Sequence, residues 1–407
     1  MKRHAMQSTE SKKAMRIHPF FSQQRNPITW VQELPSVIIA RTNTSEFRSS
    51  RIAAFDLDGT LIKTKSGRVH SKDSGDWQWW HKDIPTTMQR LQDDGYGIVI
   101  FSNQNGLNTD QRLKSFKTKI QDVLGQLSVN IWFMASLEKD QYRKPMTGMW
   151  EWFETVANHG NTVDFDKSFY VGDAAGRPDQ WKEGLKKDHS AADRKFAANT
   201  GLTFYTPEEY FLKEAPAQYS WGSFSPQDYL HPLPLFTPTS SPLVPASPTI
   251  EVIVFVGYPA SGKSKFATTY LTPKGYVYVN QDTLRTKEKC IAACEKALKD
   301  KRPVIIDNTN PNAASRAPYI KLAAEAGVPV RCFRFTADEH LARHNNMYRA
   351  VHDNDSGRQV LSDVVFRTFK ARLQEPTLSE GFKEIKHINF RFDGSSIEKA
   401  KWSKWMI

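Results

Sequence analysis

Along two segments of the chain, short apolar runs alternate with longer stretches whose apolar positions recur at helical spacing. The runs predict strands at Ile52–Phe55, Ile98–Phe101, Ile131–Ala135 and Phe169–Val171, then at Val252–Val256, Tyr276–Val279, Val304–Ile306 and Arg331–Phe335. Strands separated by helical stretches are the pattern of βα units around a largely parallel sheet, so the fold class expected is α/β, twice over. Pro226, Pro232, Pro234, Pro238, Pro242, Pro245 and Pro248 crowd one stretch between the segments and read as a linker. The expected organisation is a flexible basic tail at 1–35, an α/β domain at 36–225, a proline-rich linker at 226–248 and a second α/β domain at 249–407, with no internal repeat. Polar residues directly after the strands matter most, because open α/β sheets bind ligands beyond the carboxyl ends of their strands.

Composition narrows the class. With 407 residues, 39% hydrophobic and 25% charged, the chain is long and apolar enough for two cores. Its densest apolar stretch, Ile250–Val256, is interrupted by Glu251 and falls short of the roughly 20 residues a bilayer span needs, which excludes an integral membrane protein. Lys and Arg number 56 against 44 Asp and Glu, and the resulting +12 favours a polyanionic partner. Lys2, Arg3, Lys12, Lys13, Arg16 and Arg25 concentrate part of this charge in the tail, which reads equally as a solvated arm or as one for nuclear import or nucleic-acid tethering. Cys290, Cys294 and Cys332 suit a reducing compartment; without a second Cys or His pair nearby, they read as core or surface thiols rather than zinc ligands.

Asp56-Leu57-Asp58-Gly59-Thr60 leaves the first predicted strand with two carboxylates two residues apart, which alternation sends to one side. A solvated turn is the plain alternative. Three further pieces recur in order: Ser102-Asn103, Lys144 within Arg143-Lys144-Pro145-Met146-Thr147-Gly148, and Gly172-Asp173. This order resembles the haloacid dehalogenase-like phosphotransferase superfamily. Attack on a phosphate ester requires an anion to approach an anion, so a hard cation, Mg²⁺, partly neutralises the carboxylate. The resemblance implies that Asp56 attacks phosphorus to form an aspartyl-phosphate, and that Asp58 protonates the leaving oxygen and later activates water. It further implies that Asp56, Asp173 and the backbone carbonyl of Asp58 hold the metal, that Ser102 and Lys144 hold the phosphoryl oxygens with Asn103 beside the substrate, and that Asp193 or Asp179 supplies a further acid. Trp77, Trp79 and Trp80 follow the nucleophile segment and read either as core or as a stacking surface for an unpaired base.

Gly257-Tyr258-Pro259-Ala260-Ser261-Gly262-Lys263-Ser264 fits the phosphate-binding pattern G-x-x-x-x-G-K-S and follows a predicted strand. Its glycines turn backbone N–H groups onto phosphates, Lys263 reaches the β and γ oxygens, and Ser264 is placed for Mg²⁺, so the loop is expected to bind a nucleoside triphosphate. Asp282, in Asn280-Gln281-Asp282-Thr283-Leu284-Arg285, is the expected base for an attacking hydroxyl, which favours a kinase. Asp307-Asn308-Thr309-Asn310 follows another strand and reads as a metal or substrate site, or as an Asx turn. His340-Leu341-Ala342-Arg343-His344-Asn345-Asn346-Met347-Tyr348-Arg349 reads as a lid helix closing an arginine over the phosphates, or as a solvated face.

The order of parts, with Val171-Gly172-Asp173-Ala174-Ala175-Gly176-Arg177-Pro178, Ile306-Asp307-Asn308-Thr309-Asn310-Pro311 and Ala342-Arg343-His344-Asn345-Asn346, resembles the polynucleotide kinase 3′-phosphatase family over roughly residues 45–400. The resemblance implies removal of a 3′-phosphate and ATP-dependent phosphorylation of a 5′-hydroxyl at DNA strand breaks, in the nucleus, with a mitochondrial pool left open. Asp282 would then activate the 5′-hydroxyl, Arg285 and Asp307 would shape the acceptor site, and Arg343 or Arg349 would stabilise the transferring phosphoryl group, Arg343 being the first choice. Too little chain precedes residue 36 for the forkhead-associated domain of animal members, which points to a fungal type, and Met347 stands where a basic lid residue is expected. The competing reading is a metabolic fusion of a small-molecule phosphatase with a small-molecule kinase, since both folds serve many substrates.

Overall fold

The structure, a computed structural model, describes residues 27–42, 48–230, 233–246, 249–352 and 359–407. Most of the expected basic tail therefore lies outside the described residues. Packing divides the chain into two compact units. One comprises Met1–Glu138, Trp150–Asp173 and Tyr205–Glu214; the other comprises Lys139–Met149, Ala174–Phe204 and Ala215–Ile407. Two short excursions, carrying Lys144 and Asp193, thus pack with the unit that holds the phosphate-binding loop.

The strands of the first half are β1 (Ile28–Val31), β2 (Val37–Thr42), β3 (Ile52–Phe55), β4 (Ile62–Lys63), β5 (Gln78–Trp79), β6 (Gly97–Asn103), β7 (Ile131–Ser136), β8 (Phe169–Val171) and β9 (Thr203–Tyr205). Seven of them form one sheet in the order β1-β2-β7-β6-β3-β8-β9, and β4 pairs with β5 apart from it. Its centre, β7-β6-β3-β8, is parallel, while β2 and β1 add an antiparallel edge. Ile28–Val31, which the sequence reading placed in the tail, instead pairs with β2 through backbone hydrogen bonds that a hydropathy pattern does not encode. Register sets Phe55 beside both Ile100 and Val171, so the segments beginning at Asp56, Ser102 and Gly172 leave the sheet at the same edge. The parallel strands are buried on both faces, which is why they read as continuous apolar runs.

The second half contains β10 (Phe236–Thr237), β11 (Val252–Val256), β12 (Val277–Val279), β13 (Val304–Ile306), β14 (Val330–Phe335) and β15 (Glu384–Ile388), in the order β10-β15-β14-β11-β13-β12. All neighbours are parallel except β10 on β15. Every expected strand is present, with ends shifted by one or two residues where hydrogen bonding outruns or stops short of the apolar run. The proline-rich stretch holds a 3₁₀ turn, Pro226–Leu230, as well as β10, and is tied down beyond them. Lys386 Nζ, fully buried, donates to the carbonyls of Pro238 and Ser241 at 3.1 and 2.9 Å and to Ser241 Oγ at 2.6 Å.

Glu251, which breaks the longest apolar run, belongs to the same network. Its buried carboxylate accepts two hydrogen bonds from the Arg331 guanidinium at 2.6 and 2.7 Å and a third from Tyr276, while Arg331 also donates to the Leu243 carbonyl at 3.0 Å. Removing one partner of a buried, bidentate pair strands the other charge. Glu251→Ala is therefore expected to cost about 3–5 kcal/mol, read as a loss in denaturant midpoint, and Glu251→Leu combined with Arg331→Met to recover much of it.

A second buried group gives a pH dependence. His344, on the helix Glu339–His352, donates from Nε2 to the Trp402 carbonyl at 2.8 Å between the rings of Phe224 and Trp402. Burial pushes its pKa down to about 4. The unfolded imidazole, near 6.5, then binds the proton that the folded one refuses, so stability falls as pH drops from about 6.5 towards 4. Thermal melts at pH 7, 6 and 5 should show a decline that His344→Asn makes shallower, by up to about 1.4 kcal/mol per pH unit.

Candidate active sites

In the first unit, β3 runs out at Phe55 and the chain turns through Asp56-Leu57-Asp58-Gly59-Thr60. Asp56 is buried and its N–H is bound by the Val171 carbonyl at 2.8 Å. Asp173 follows β8 on the neighbouring strand. Carboxylate oxygens of Asp56 and Asp173 lie within 4.8 Å of each other. Gly59 makes this approach possible: its φ is +85°, and a Cβ there would stand 2.3 Å from Asp173 Oδ2. Two hard oxygen donors at this spacing fit a divalent cation.

Asp58 is held by residues that the sequence reading did not single out. Gln104 Nε2 donates to Asp58 Oδ2 at 2.7 Å and to the buried Ser102 hydroxyl at 2.8 Å. Lys119 Nζ, itself buried, lies 3.2 Å from Asp58 Oδ1. Both left a signal in the sequence. Gln104 directly follows Ser102-Asn103, and Lys119 sits within the buried stripe Phe116, Ile120, Val123 of the helix Asp110–Gly125, where a solvated lysine has no place. Trp77 resolves to the core reading, buried with its indole N–H on Asp122 at 3.0 Å, and Trp79 and Trp80 pack partly against the same core.

Lys144 and Asp193 belong to the second unit and form an ion pair of 2.7 Å, with side chains only 2% and 3% exposed. Asp193 also accepts the Ala174 N–H at 3.0 Å, next to the Gly172-Asp173 turn. Of the two further acids considered, Asp193 is therefore the buried, paired one; Asp179 is exposed and accepts the Lys187 N–H at 3.2 Å.

The phosphate-binding loop springs from β11. A Cβ on Gly257 would meet Phe335 Cβ at 2.8 Å, and Gly262 has φ +94°, so both positions require glycine. Lys263 Nζ, buried, donates to the carbonyls of Gly257 and Tyr258 at 3.1 and 2.5 Å. Burial pushes the Lys263 pKa down to about 8 against the pull of Asp307, while Arg349 lies near enough to repel it and Asp282 to attract it. Ser264 Oγ donates to Asp307 Oδ2 at 2.6 Å, as does the Tyr278 hydroxyl at 2.5 Å; burial, and then the bond to Asp307, lift the Tyr278 pKa to about 12. The other oxygen, Asp307 Oδ1, is buried without a hydrogen-bond partner among the described residues. Such an orphan acceptor beside a hydroxyl fits a bound cation.

Asp282 is exposed on the short helix Gln281–Leu284, whose N-terminus Asn280 caps through the Asp282 and Thr283 N–H groups. Asn280 Nδ2 also donates to the Asp307 carbonyl at 2.7 Å, and Asn308 accepts the Gln281 N–H at 2.8 Å, so the ends of β12 and β13 are laced together. Arg285 ends that helix, exposed, at φ +77°. On the helix Glu339–His352 the two candidate arginines are held differently. Arg343 is held by Glu339 at 2.8 Å and by Asp363, with its guanidinium over the Phe366 ring, so it braces two helices, whereas Arg349 donates to Asn346 Oδ1 at 3.2 Å and is one of the charges that Lys263 feels. Met347 is not a missing base: it is buried against Met146 and Met406.

Known proteins match both sites. Residues 51–211 match the family described as polynucleotide kinase 3 phosphatase, and residues 285–376 match an AAA domain. A Schizosaccharomyces pombe protein named bifunctional polynucleotide phosphatase/kinase is 42% identical over 371 residues, which span 91% of this chain and 86% of that protein. A protein of Acanthamoeba polyphaga mimivirus, named putative bifunctional polynucleotide phosphatase/kinase, is 31% identical over 87% of this chain and 88% of its own length. The Saccharomyces cerevisiae polynucleotide 3′-phosphatase is 31% identical over 39% of this chain and 87% of its own. With one similarity running through both phosphoryl-transfer sites and nearly the whole length of the relatives, the chain belongs to the bifunctional polynucleotide phosphatase/kinase family.

Proposed function

We propose that this enzyme repairs DNA strand breaks in the nucleus by removing 3′-phosphates at one site and phosphorylating 5′-hydroxyls with ATP at the other. The observation that carries the reading is that the carboxyl edges of the two sheets carry different phosphoryl-transfer sets, a nucleophile-type carboxylate array on one and a triphosphate loop on the other. Ligation needs a 3′-hydroxyl and a 5′-phosphate, so the two reactions together convert the opposite arrangement into a joinable break. The excess of basic residues supports a polyanionic substrate.

In the phosphatase, Asp56 attacks phosphorus, the bond to the 3′-oxygen breaks and Asp58 supplies the proton that oxygen needs; water, deprotonated by Asp58, then releases phosphate from Asp56. Lys119 and Gln104 fix the Asp58 carboxylate for both proton transfers. Ser102 and Lys144 hold the phosphoryl oxygens, and Asn103 lines the substrate. Mg²⁺, held by Asp56, Asp173 and the backbone carbonyl of Asp58, would offset the charge between carboxylate and phosphate. In the kinase, Asp282 takes the proton of the 5′-hydroxyl as its oxygen attacks the γ-phosphorus, Lys263 and Arg349 draw in the charge that develops, and Arg285 positions the acceptor strand. Ser264 and Asp307 would hold the cation of the bound triphosphate.

The sites are separable. Asp56→Asn is expected to lower 3′-phosphatase turnover by about a thousandfold or more while 5′-kinase stays within about twofold, and Lys263→Ala to do the reverse, both read on end-labelled oligonucleotides. Lys119→Met should lower phosphatase kcat by about ten- to a hundredfold with kinase activity intact, and Lys119→Arg should return part of it. A Lys119→Met enzyme with normal phosphatase kcat would remove Lys119 from the mechanism.

A further inference from the structure

Lys144 and Asp193 lie on separate stretches of chain, and both stretches are fastened to the same short C-terminal segment within the second unit. Asn199, at the end of the helix Ala192–Thr200 that carries Asp193, is the junction. Its Nδ2 donates to the Pro145 carbonyl, one residue past Lys144, and to the Trp405 carbonyl, both at 2.8 Å; its Oδ1 accepts the Trp405 N–H at 2.8 Å. One side chain thus joins three backbone groups, one beside Lys144 and two in the tail.

Other contacts fix the tail on either side of that junction. Trp405 stacks on Trp221 with ring centroids 5.4 Å apart and an interplanar angle of 13°. Lys195, two residues from Asp193, lies 4.5 Å over the Trp405 ring and donates to the Ile407 carbonyl at 3.0 Å. Met406 is buried against Met146, two residues from Lys144. Trp402 faces the other way: its indole donates to Asn345 Oδ1 at 2.8 Å, and Asn345 donates to the Ala260 carbonyl of the phosphate-binding loop at 3.3 Å.

We propose that Ser403–Met406 is a positioning clasp for the phosphatase reaction, acting through Asn199 to hold the Lys144 loop and the Asp193 helix in register. The inference rests on the role assigned to Lys144 above. The buried 2.7 Å pair between Lys144 and Asp193 ties the ammonium to the Asp193 helix, and a shift of about 1 Å in a reacting constellation costs on the order of a hundredfold in rate. Residues at the kinase end of the sequence therefore set phosphatase turnover without touching its substrate.

The test uses Asn199→Leu, a chain lacking Ser403–Ile407 that keeps Trp402, the two changes combined, and Lys144→Ala. Each is assayed for release of phosphate from a 3′-phosphorylated oligonucleotide and for 5′-kinase activity on the same preparation. The clasp predicts that phosphatase kcat falls about tenfold or more in both single changes with KM moved by less than about threefold, and that the combination is no worse than either alone. Kinase kcat in Asn199→Leu should stay within about twofold. Normal phosphatase kcat in Asn199→Leu and in the shortened chain, while Lys144→Ala is inactive, overturns the clasp and leaves the site assignment standing; an active Lys144→Ala overturns the assignment itself. Losses that multiply in the combination, or a kinase that fails together with the phosphatase in Asn199→Leu, also overturn the clasp, because they mark general loosening of the fold.

Discussion

Charge gathered at the ends of parallel strands is the constraint around which both halves are arranged. Asp56 and Asp173 approach within 4.8 Å at the edge of one sheet, and Asp307 sits buried at the edge of the other. Such groups are tolerated only where opposite charge, hydrogen-bond donors or a cation answer them. Each half supplies part of the answer from its own elements: Lys119 on Asp58, Lys144 on Asp193, and Ser264 with Tyr278 on Asp307. The remaining demand for positive charge fits a divalent cation, which would in turn let an anionic phosphate ester approach the carboxylates.

The same economy explains the glycines. Gly59 gives Asp173 room that any side chain would take, and Gly262 adopts a left-handed backbone so that the loop turns its N–H groups inward. Lys263, buried and bonded to loop carbonyls, keeps the loop shaped, and burial depresses its pKa to about 8.

Much of the fold was legible because strands buried on both faces leave apolar runs, and the motif residues were legible because phosphate chemistry permits few alternatives at those spacings. What stayed hidden depends on partners distant in sequence. Glu251 looked like a flaw in an apolar run until Arg331 and Tyr276 were placed beside it. Arg343 and Arg349 stand six residues apart on one helix, and only the positions of Glu339, Asp363 and Asn346 show how differently the two are held. Lys119 was readable in principle, as a lysine inside an apolar stripe, but its partner Asp58 lies 61 residues away. Nor does any local pattern reveal that the stretches bearing Lys144 and Asp193 pack with the second unit.

The central claim, two independent phosphoryl-transfer sites serving one break, is tested most directly on a nicked duplex bearing 3′-phosphate and 5′-hydroxyl ends, with Mg²⁺ present and both ends followed by gel. The account predicts that both ends are converted with ATP, and that omitting ATP stops 5′-phosphorylation while 3′-phosphate removal continues. A protein that leaves both ends unchanged while hydrolysing a small phosphate ester would contradict it.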